Sequence, residues 1–240
     1  FLIGSILMRS AGCIVNDISD KEFDKKVFRT KERPIASGKI SIKLGLVYTA
    51  TLCLFALLVL LNFNTVTIVI ALGSMPLAFS YPLMKRYTYW PQLFLGITFN
   101  YGLILGWVCI NNHLDTIPII LYSGAIFWTL GFDTIYGFQD INDDEIIGIK
   151  STSIKFKKNP KLFLYTCYLI FITSLITTGL LMNFNYLFYL FLLIPTTHLF
   201  LYQVYNFNFK DPLNCFKIFK SNNFLGFLIL FNIVIGKTFI

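Results

Sequence analysis

The chain has 240 residues, of which 56% are hydrophobic, 18% aromatic and only 13% charged, with a formal net charge of +8 and a mean hydropathy of +0.68. Ordinary soluble domains carry roughly a quarter of charged residues, and one core of this size could not hide so much apolar surface. A soluble enzyme, a disulfide-rich secreted module and a disordered chain are excluded, which leaves a polytopic membrane protein.

A helix needs about 20 apolar residues to cross a hydrocarbon core about 30 Å thick. In chain order the sequence predicts eight spans, at 1–15, 43–61, 66–84, 92–111, 117–138, 162–182, 186–206 and 222–240. They define an all-α membrane helix bundle, read as a single domain over 1–240. The first span is short and begins at full hydrophobicity with Phe1, so the chain is expected to start inside a helix and to lack upstream sequence. It has neither the basic start nor the small-residue cleavage site of a signal peptide. Continuous rather than alternating apolar runs speak against a β-barrel.

The positive charge is distributed by topology. Of 20 Lys and Arg, 18 fall in the stretches 16–43, 85–91, 139–161 and 207–221, whereas the connections 62–65, 112–116 and 183–185 carry none. Basic and non-basic loops alternate as the positive-inside rule requires, which places the basic loops in the cytoplasm or a mitochondrial matrix. Such a face attracts anionic lipids and ligands, and nothing in the distribution calls for nucleic acid. The five cysteines sit singly without metal-ligand spacing and read as small apolar residues. His113 and His198 are isolated and read as structural.

The acids are concentrated. Ten of twelve lie in two clusters, Asp17, Asp20, Glu22, Asp24 and Glu32, then Asp133, Asp140, Asp143, Asp144 and Glu145, about 120 residues apart. Basic residues follow each: Arg29, Lys31 and Arg33 after the first, Lys150 after the second. In N-D-I-S-D-K-E-F-D, a helix would put Asn16, Asp20 and Asp24 within an arc of about 80° over about 12 Å of axis. Asp17 and Asp24, seven apart, share a face as well. In Y-G-F-Q-D-I-N-D-D the same spacing aligns Tyr136, Asp140 and Asp144, with Asp133 on nearly the same face. Two such stripes facing each other would form a cup of oxygen ligands. Crowded carboxylates repel one another and resist burial. Mg²⁺ resolves that repulsion with a few carboxylates, phosphate oxygens and water, and acids at a membrane edge default to function. Asp143 and Glu145 are expected to face solvent.

Proline and glycine mark the remaining irregularities. Pro76 and Pro82 interrupt the third span and Pro195 the seventh, which membrane helices tolerate. Gly96, Asn100, Gly102 and Gly106 put small or polar residues on the fourth span, a pattern favouring tight helix contact. Asn100 either lines a pocket or bonds a neighbouring helix.

These motifs resemble those of the UbiA family of intramembrane prenyltransferases. Asn16–Asp24 with R-T-K-E-R-P at Arg29–Pro34 is similar to the first family signature, and D-T-I-Y-G-F-Q-D-I-N-D-D-E-I-I-G-I-K-S-T at Asp133–Thr152 to the second. Y-P-L-M-K-R-Y at Tyr81–Tyr87 resembles a third stretch, and the trailing G-I-K-S-T looks most like the 4-hydroxybenzoate polyprenyltransferase branch, which makes ubiquinone precursors. The resemblance implies nine spans in the family, against eight here. It implies transfer of a polyprenyl group from its diphosphate to the ring of 4-hydroxybenzoate, ortho to the hydroxyl, with Mg²⁺ as cofactor. Asn16, Asp20, Asp24, Asp140 and Asp144 match the positions that bind the metal–diphosphate, and Asp20, Asp140, Arg86 and Asp133 are the expected catalytic residues. Asp17 is a ligand or stands behind one. Lys85, Arg86 and Lys150 match substrate-associated basic positions, with Arg86 a candidate for the acceptor carboxylate. Arg33 orders its loop or touches phosphate. Tyr136 faces the allylic cation or the diphosphate, and Asp133 orients the acceptor, receives its proton, or serves as a buried structural acid. Other acceptors (a naphthoate, a haem or a chlorophyll precursor) and a transporter are the alternatives. A bacterial inner membrane is expected, with the mitochondrial inner membrane as the alternative and the site on the cytoplasmic side.

Overall fold

The computed structural model describes residues 1–27 and 30–238, so Arg29 and the last two positions of the expected span 222–240 lie outside the described residues. The described chain is all-helical. Among the described residues, seven helices are long and apolar enough to cross a membrane: Ile42–Leu60, Thr65–Tyr87, Pro91–Asn111, Thr116–Gly137, Pro160–Leu181, Tyr186–Val204 and Pro212–Thr238. The protein is an integral membrane protein. The first expected span, 1–15, belongs to helix α1 (Leu2–Asp24), which runs nine residues past the predicted end. It is long enough to cross, but Arg9 and the polar run from Asn16 leave it less apolar than the other seven, so the count of eight is not reached.

The chain divides into two compact units. The first comprises Phe1–Tyr87 and Leu105–His113. Here α1 packs along α2 (Ile42–Leu60), with α3 (Thr65–Ser80), a 3₁₀ turn at Tyr81–Leu83 and the short α4 (Met84–Tyr87) against α1. Side-chain caps set the helix starts, as expected where exposed amides need an acceptor. Ser41 Oγ accepts from Leu44 N at 3.2 Å, and Asn64 Oδ1 accepts from Thr67 N at 2.8 Å. The Asn64 amide also donates to the carbonyls of Val108 and Cys109 at 3.2 and 3.0 Å, tying the start of α3 to the end of α6 (Tyr101–Asn111). Pro76 sits inside α3 without ending it, and Pro82 falls in the 3₁₀ turn.

The second unit comprises Thr88–Ile104 and Leu114–Ile240. Its centre is α7 (Thr116–Gly137) packed on α10 (Pro160–Leu181), flanked by α5 (Pro91–Phe99) and α12 (Pro212–Thr238). Contact is close because glycines line α7: a Cβ at Gly124 would collide with Ser174, and one at Gly131 with the Tyr168 ring. Tyr168 is fully buried, and its hydroxyl donates to Gln203 Oε1 at 2.7 Å. Gln203 Nε2 and Trp128 Nε1 both donate to Asn222 Oδ1, at 3.0 and 2.9 Å, so these buried polar groups satisfy one another. After α11 (Tyr186–Thr197), which contains Pro195, the helix loosens into a π segment at His198–Val204 that delivers Gln203 to this network.

Two expectations for this unit are corrected. The basic stretch 207–221 is not mainly a loop, since α12 already starts at Pro212. Cys215, Ile218, Asn222 and Leu225 recur at helical spacing there and are buried, which leaves Lys217 and Lys220 on the outer face. The small residues of the fourth span do not all serve contact. Gly96 does, because a Cβ there would meet Ile126 O at 2.9 Å, but at Gly102 and Gly106 it would meet nothing within 4 Å. Asn100 bonds a neighbouring helix, donating to Ala125 O at 3.2 Å and Thr129 Oγ1 at 2.7 Å.

Gly131→Ala is expected to destabilise the protein by about 1–3 kcal/mol through overpacking against Tyr168. Gly102→Ala has room and should be neutral or slightly stabilising; thermal unfolding of both variants in detergent checks the contrast.

Candidate active site

The first acidic cluster lies on one continuous helix, as its spacing predicts, with Asn16, Asp17, Asp20 and Asp24 all inside α1. Asp20 and Asp24 are 3% and 7% exposed. Cations from the rest of the first unit reach them. Arg33 Nη1 pairs with Asp17 Oδ1 at 3.1 Å and with Asp24 Oδ2 at 3.0 Å, so one guanidinium joins the two acids seven residues apart. The Thr30 hydroxyl donates to Asp24 O at 3.1 Å, holding the same loop to the helix end. Lys85 Nζ pairs with Asp20 Oδ2 at 2.5 Å. Arg86 donates to Ser19 O, and its guanidinium lies 5.3 Å from the centre of the Phe23 ring, with the Lys85 ammonium at 5.6 Å. The Y-P-L-M-K-R-Y stretch is thereby folded onto the polar end of α1.

Burial leaves these acids short of compensation. Beyond the apolar stretch 1–15, Asp17 and Asp20 both have their pKa pushed above the usual carboxylate range by desolvation, which outweighs the pull of Arg33 on the first and of Lys85 on the second. Asp20 Oδ1 is buried with no hydrogen-bond partner among the described residues. Among the described residues no three His, Cys, Asp or Glu side chains stand ready to hold a metal ion. Mg²⁺, however, needs only one or two carboxylates beside phosphate oxygens and water. An all-oxygen donor set with an orphaned carboxylate oxygen fits that demand.

The second cluster is built differently from its expected stripe. The helix does not continue from Tyr136 to Asp144: α7 stops at Gly137, Asp140 is the N-cap of α8 (Ile141–Ile147), and Asp144 lies one turn into α8. Tyr136 and Asp133 therefore belong to α7, and Asp140 and Asp144 to its successor. The break has a local cause. Gly137 rests on Ser153, where a Cβ would collide with the serine hydroxyl. Ser153 Oγ donates to Thr134 O at 2.7 Å, the Thr134 and Thr152 hydroxyls bond at 2.7 Å, and Thr152 N donates to Gln92 Oε1 at 3.0 Å. This buried clasp pins α9 (Thr152–Lys155) to the end of α7 and forces the chain out of line. Gly148, at φ +78°, ends α8 in the left-handed region, with Ile149 N donating to Asp144 O at 2.9 Å.

Around this segment the Tyr136 ring packs on Phe219 of α12, 4.5 Å between centres, and Lys150 lies 5.8 Å from the Tyr89 ring. Asp133 makes no hydrogen bond or ion pair among the described residues. Asp143 and Glu145 are exposed, as expected. The positioning residues Gln92, Thr134 and Ser153 escaped sequence reasoning, because isolated polar residues carry no period. The S-T-S run at 151–153 beside an acidic cluster was their one visible signal.

Helices of membrane-spanning length with carboxylates and cations gathered at their polar ends define an intramembrane protein that handles an anionic group. A model of the UbiA prenyltransferase family matches residues 1–230, and the chain belongs to that family. It is 40% identical over 236 residues to 4-hydroxybenzoate geranyltransferase 1 of Lithospermum erythrorhizon, covering 98% of this chain and 76% of that protein. It is 41% identical over 238 residues to the mitochondrial 4-hydroxybenzoate polyprenyltransferase of Homo sapiens, covering 99% and 64%. The fold is shared with a UbiA homolog from Aeropyrum pernix K1, at a TM-score of 0.77, 20% identity and coverage of 98% and 90%. A UbiA homolog from Archaeoglobus fulgidus bound to GPP and Mg²⁺ superposes at 0.67 with 15% identity over 98% and 88%.

Arg33→Ala strips Asp17 and Asp24 of their shared cation and is expected to cost about 1–3 kcal/mol. Arg33→Lys, which keeps the charge but loses the planar fork, should recover part of it; melting temperatures of the two variants in detergent give the comparison.

Proposed function

We propose that the protein transfers a polyprenyl group from polyprenyl diphosphate to the ring carbon of 4-hydroxybenzoate ortho to its hydroxyl, a step of ubiquinone biosynthesis. The observation that carries this reading is identity of about 40% across nearly the whole chain to proteins named for that acceptor. Asn16, Asp20 and Asp24 on α1, with Asp140 and Asp144 at α8, are assigned as oxygen donors for Mg²⁺. When bound, Mg²⁺ supplies positive charge to the diphosphate oxygens. Asp17 and Arg33 hold the α1 donors in place, and Arg33 is available to a phosphate oxygen.

In the proposed mechanism, the chain's own residues act on the two substrates. Lys85 and Lys150 neutralise charge that grows on the diphosphate as its bond to the allylic carbon breaks, an effect that low dielectric strengthens. Tyr136 offers its ring face to the allylic cation. Arg86 pairs with the acceptor carboxylate and sets the ring orientation. The ring carbon then forms the new carbon–carbon bond, and its proton passes to the Asp133 carboxylate, restoring aromaticity. No covalent enzyme intermediate is needed, in keeping with the lack of any nucleophile arrangement in the sequence. The inner membrane, bacterial or (as the names of several relatives indicate) mitochondrial, is the proposed location, with the basic loops and the site on the cytoplasmic or matrix side.

Membranes containing the full chain, a polyprenyl diphosphate and radiolabelled 4-hydroxybenzoate should yield a lipid-extractable product that requires Mg²⁺ and disappears with EDTA. Asp20→Asn and Asp140→Asn should each lower the rate by at least ~100-fold. Product only with a naphthoate or another acceptor would transfer the reading to a different branch of the family. Silence with every acceptor, in protein shown to be folded, would end the enzyme reading.

A further inference from the structure

A cleft in the second unit, beside the segment that follows α7, carries lysines that the prenyl-transfer reading does not use. It has a volume of about 640 Å³ and opens where the start of α10 meets residues 205–209, and it is lined by Lys158, Asn159, Lys161, Tyr205, Asn206 and Asn208 among others. Both lysines of the lining come from the basic stretch 139–161, and residues 205–209 add aromatic and amide side chains. Its two lysines keep their charge available. Lys157 next to them is taken by Glu145, at 2.8 Å to both carboxylate oxygens. Lys158 has no hydrogen bond or ion pair among the described residues. Lys161 Nζ donates to Tyr205 O at 2.8 Å, which fixes the ammonium at the cleft and leaves it two further N–H donors. Pro160 opens α10 and Asn159 gives its first turn no side-chain cap, so the positive end of a 22-residue helix adds to the same field.

The surroundings identify the kind of anion. Leu162, Tyr165 and Leu169 continue from the cleft along one face of α10 at i, i+3 and i+7, exposed at 66%, 42% and 58%. Tyr205, at the rim, is 74% exposed, the placement of an aromatic residue at a membrane–water interface. A basic pocket that runs directly into a lipid-facing apolar stripe matches an amphiphile with a phosphate head and hydrocarbon tails. We propose that this cleft binds the phosphate of an anionic phospholipid, with Lys158 and Lys161 as counter-ions and the acyl chains along Leu162 and Leu169. The proposal is independent of the prenyl-transfer reading and holds whatever the acceptor.

The test uses the full chain purified in a neutral detergent and counts retained lipid by native mass spectrometry, with phosphatidylglycerol and phosphatidylcholine offered separately. The expected result is retention of phosphatidylglycerol well above phosphatidylcholine, falling at least fivefold in Lys158→Gln/Lys161→Gln. Lys158→Arg/Lys161→Arg should keep it, as should Lys39→Gln/Lys43→Gln, which removes the same charge from exposed positions in the first unit. If the double variant fails to fold, as judged by its thermal melt, Lys158→Gln alone decides, with a loss of at least twofold expected. Undiminished retention in the Gln variants, an equal loss in the Lys39/Lys43 control, or equal binding of phosphatidylcholine overturns the proposal. Displacement of phosphatidylglycerol by millimolar inorganic phosphate assigns the cleft to a soluble phosphate and overturns the lipid assignment.

Discussion

A carboxylate at the end of an apolar helix is stable only beside a cation, and the polar part of the first unit is arranged around that requirement. Asp20 is nearly buried and takes Lys85; Asp17 and Asp24 share Arg33. These three contacts draw in the loop after α1 and the turn after α3, beside the buried Val27, Ile35 and Ala36. The pairing is incomplete, since Asp20 Oδ1 has no partner among the described residues. An unpaired polar atom at such depth is costly for stability alone, and that cost is what one expects where a site is kept ready for a ligand rather than optimised for folding.

The same economy governs the backbone. Within a membrane every N–H and C=O must be satisfied inside the protein, so helix ends are where the chain needs side chains of particular kinds. The sequence N-F-N appears at 62–64 and again at 183–185, 121 residues on. Both second asparagines do two jobs. Asn64 caps α3 and bonds carbonyls at the end of α6; Asn185 caps α11, accepting from Phe188 N at 3.2 Å, and donates to Ile235 O near the end of α12 at 2.9 Å. The interval nearly equals the spacing between the acid clusters, so two parts of the chain meet the same demand at the turn between spans with the same residue.

Hydropathy made the architecture readable, because continuous apolar runs and short polar connections leave few alternatives. The predicted ends of the spans from the second to the seventh fall within a few residues of the observed ones. The errors lie where polarity and helicity part company. The charged tail of α1 and the lysines at the start of α12 look like loop, yet each helix continues, because its buried face keeps a helical period that net hydrophobicity conceals. In the fourth span Gly102 and Gly106 face open space whereas Gly96 meets Ile126, a distinction that only the neighbouring helix can make. Acidic spacing was legible on α1 because a single uninterrupted helix carries it.

The second cluster shows why equal spacing need not mean equal construction. Asp140 and Asp144 are four apart like Asp20 and Asp24, but their direction is not inherited from a membrane helix. It is fixed by the buried clasp of Gln92, Thr134, Thr152 and Ser153, which ends α7 at Gly137 and starts α8 on a new axis. None of these four residues is charged, and only their hydrogen bonds reveal them. The clasp fixes where this short helix begins, and Glu145 on it is held further by Lys157 at 2.8 Å. The clasp thus helps to place Asp140 and Asp144, whereas Asp17, Asp20 and Asp24 of α1 are held directly by Arg33 and Lys85. Loss of Arg33 or Lys85 would disturb the first cluster at its carboxylates, whereas loss of the clasp would disturb the second through the break that ends α7.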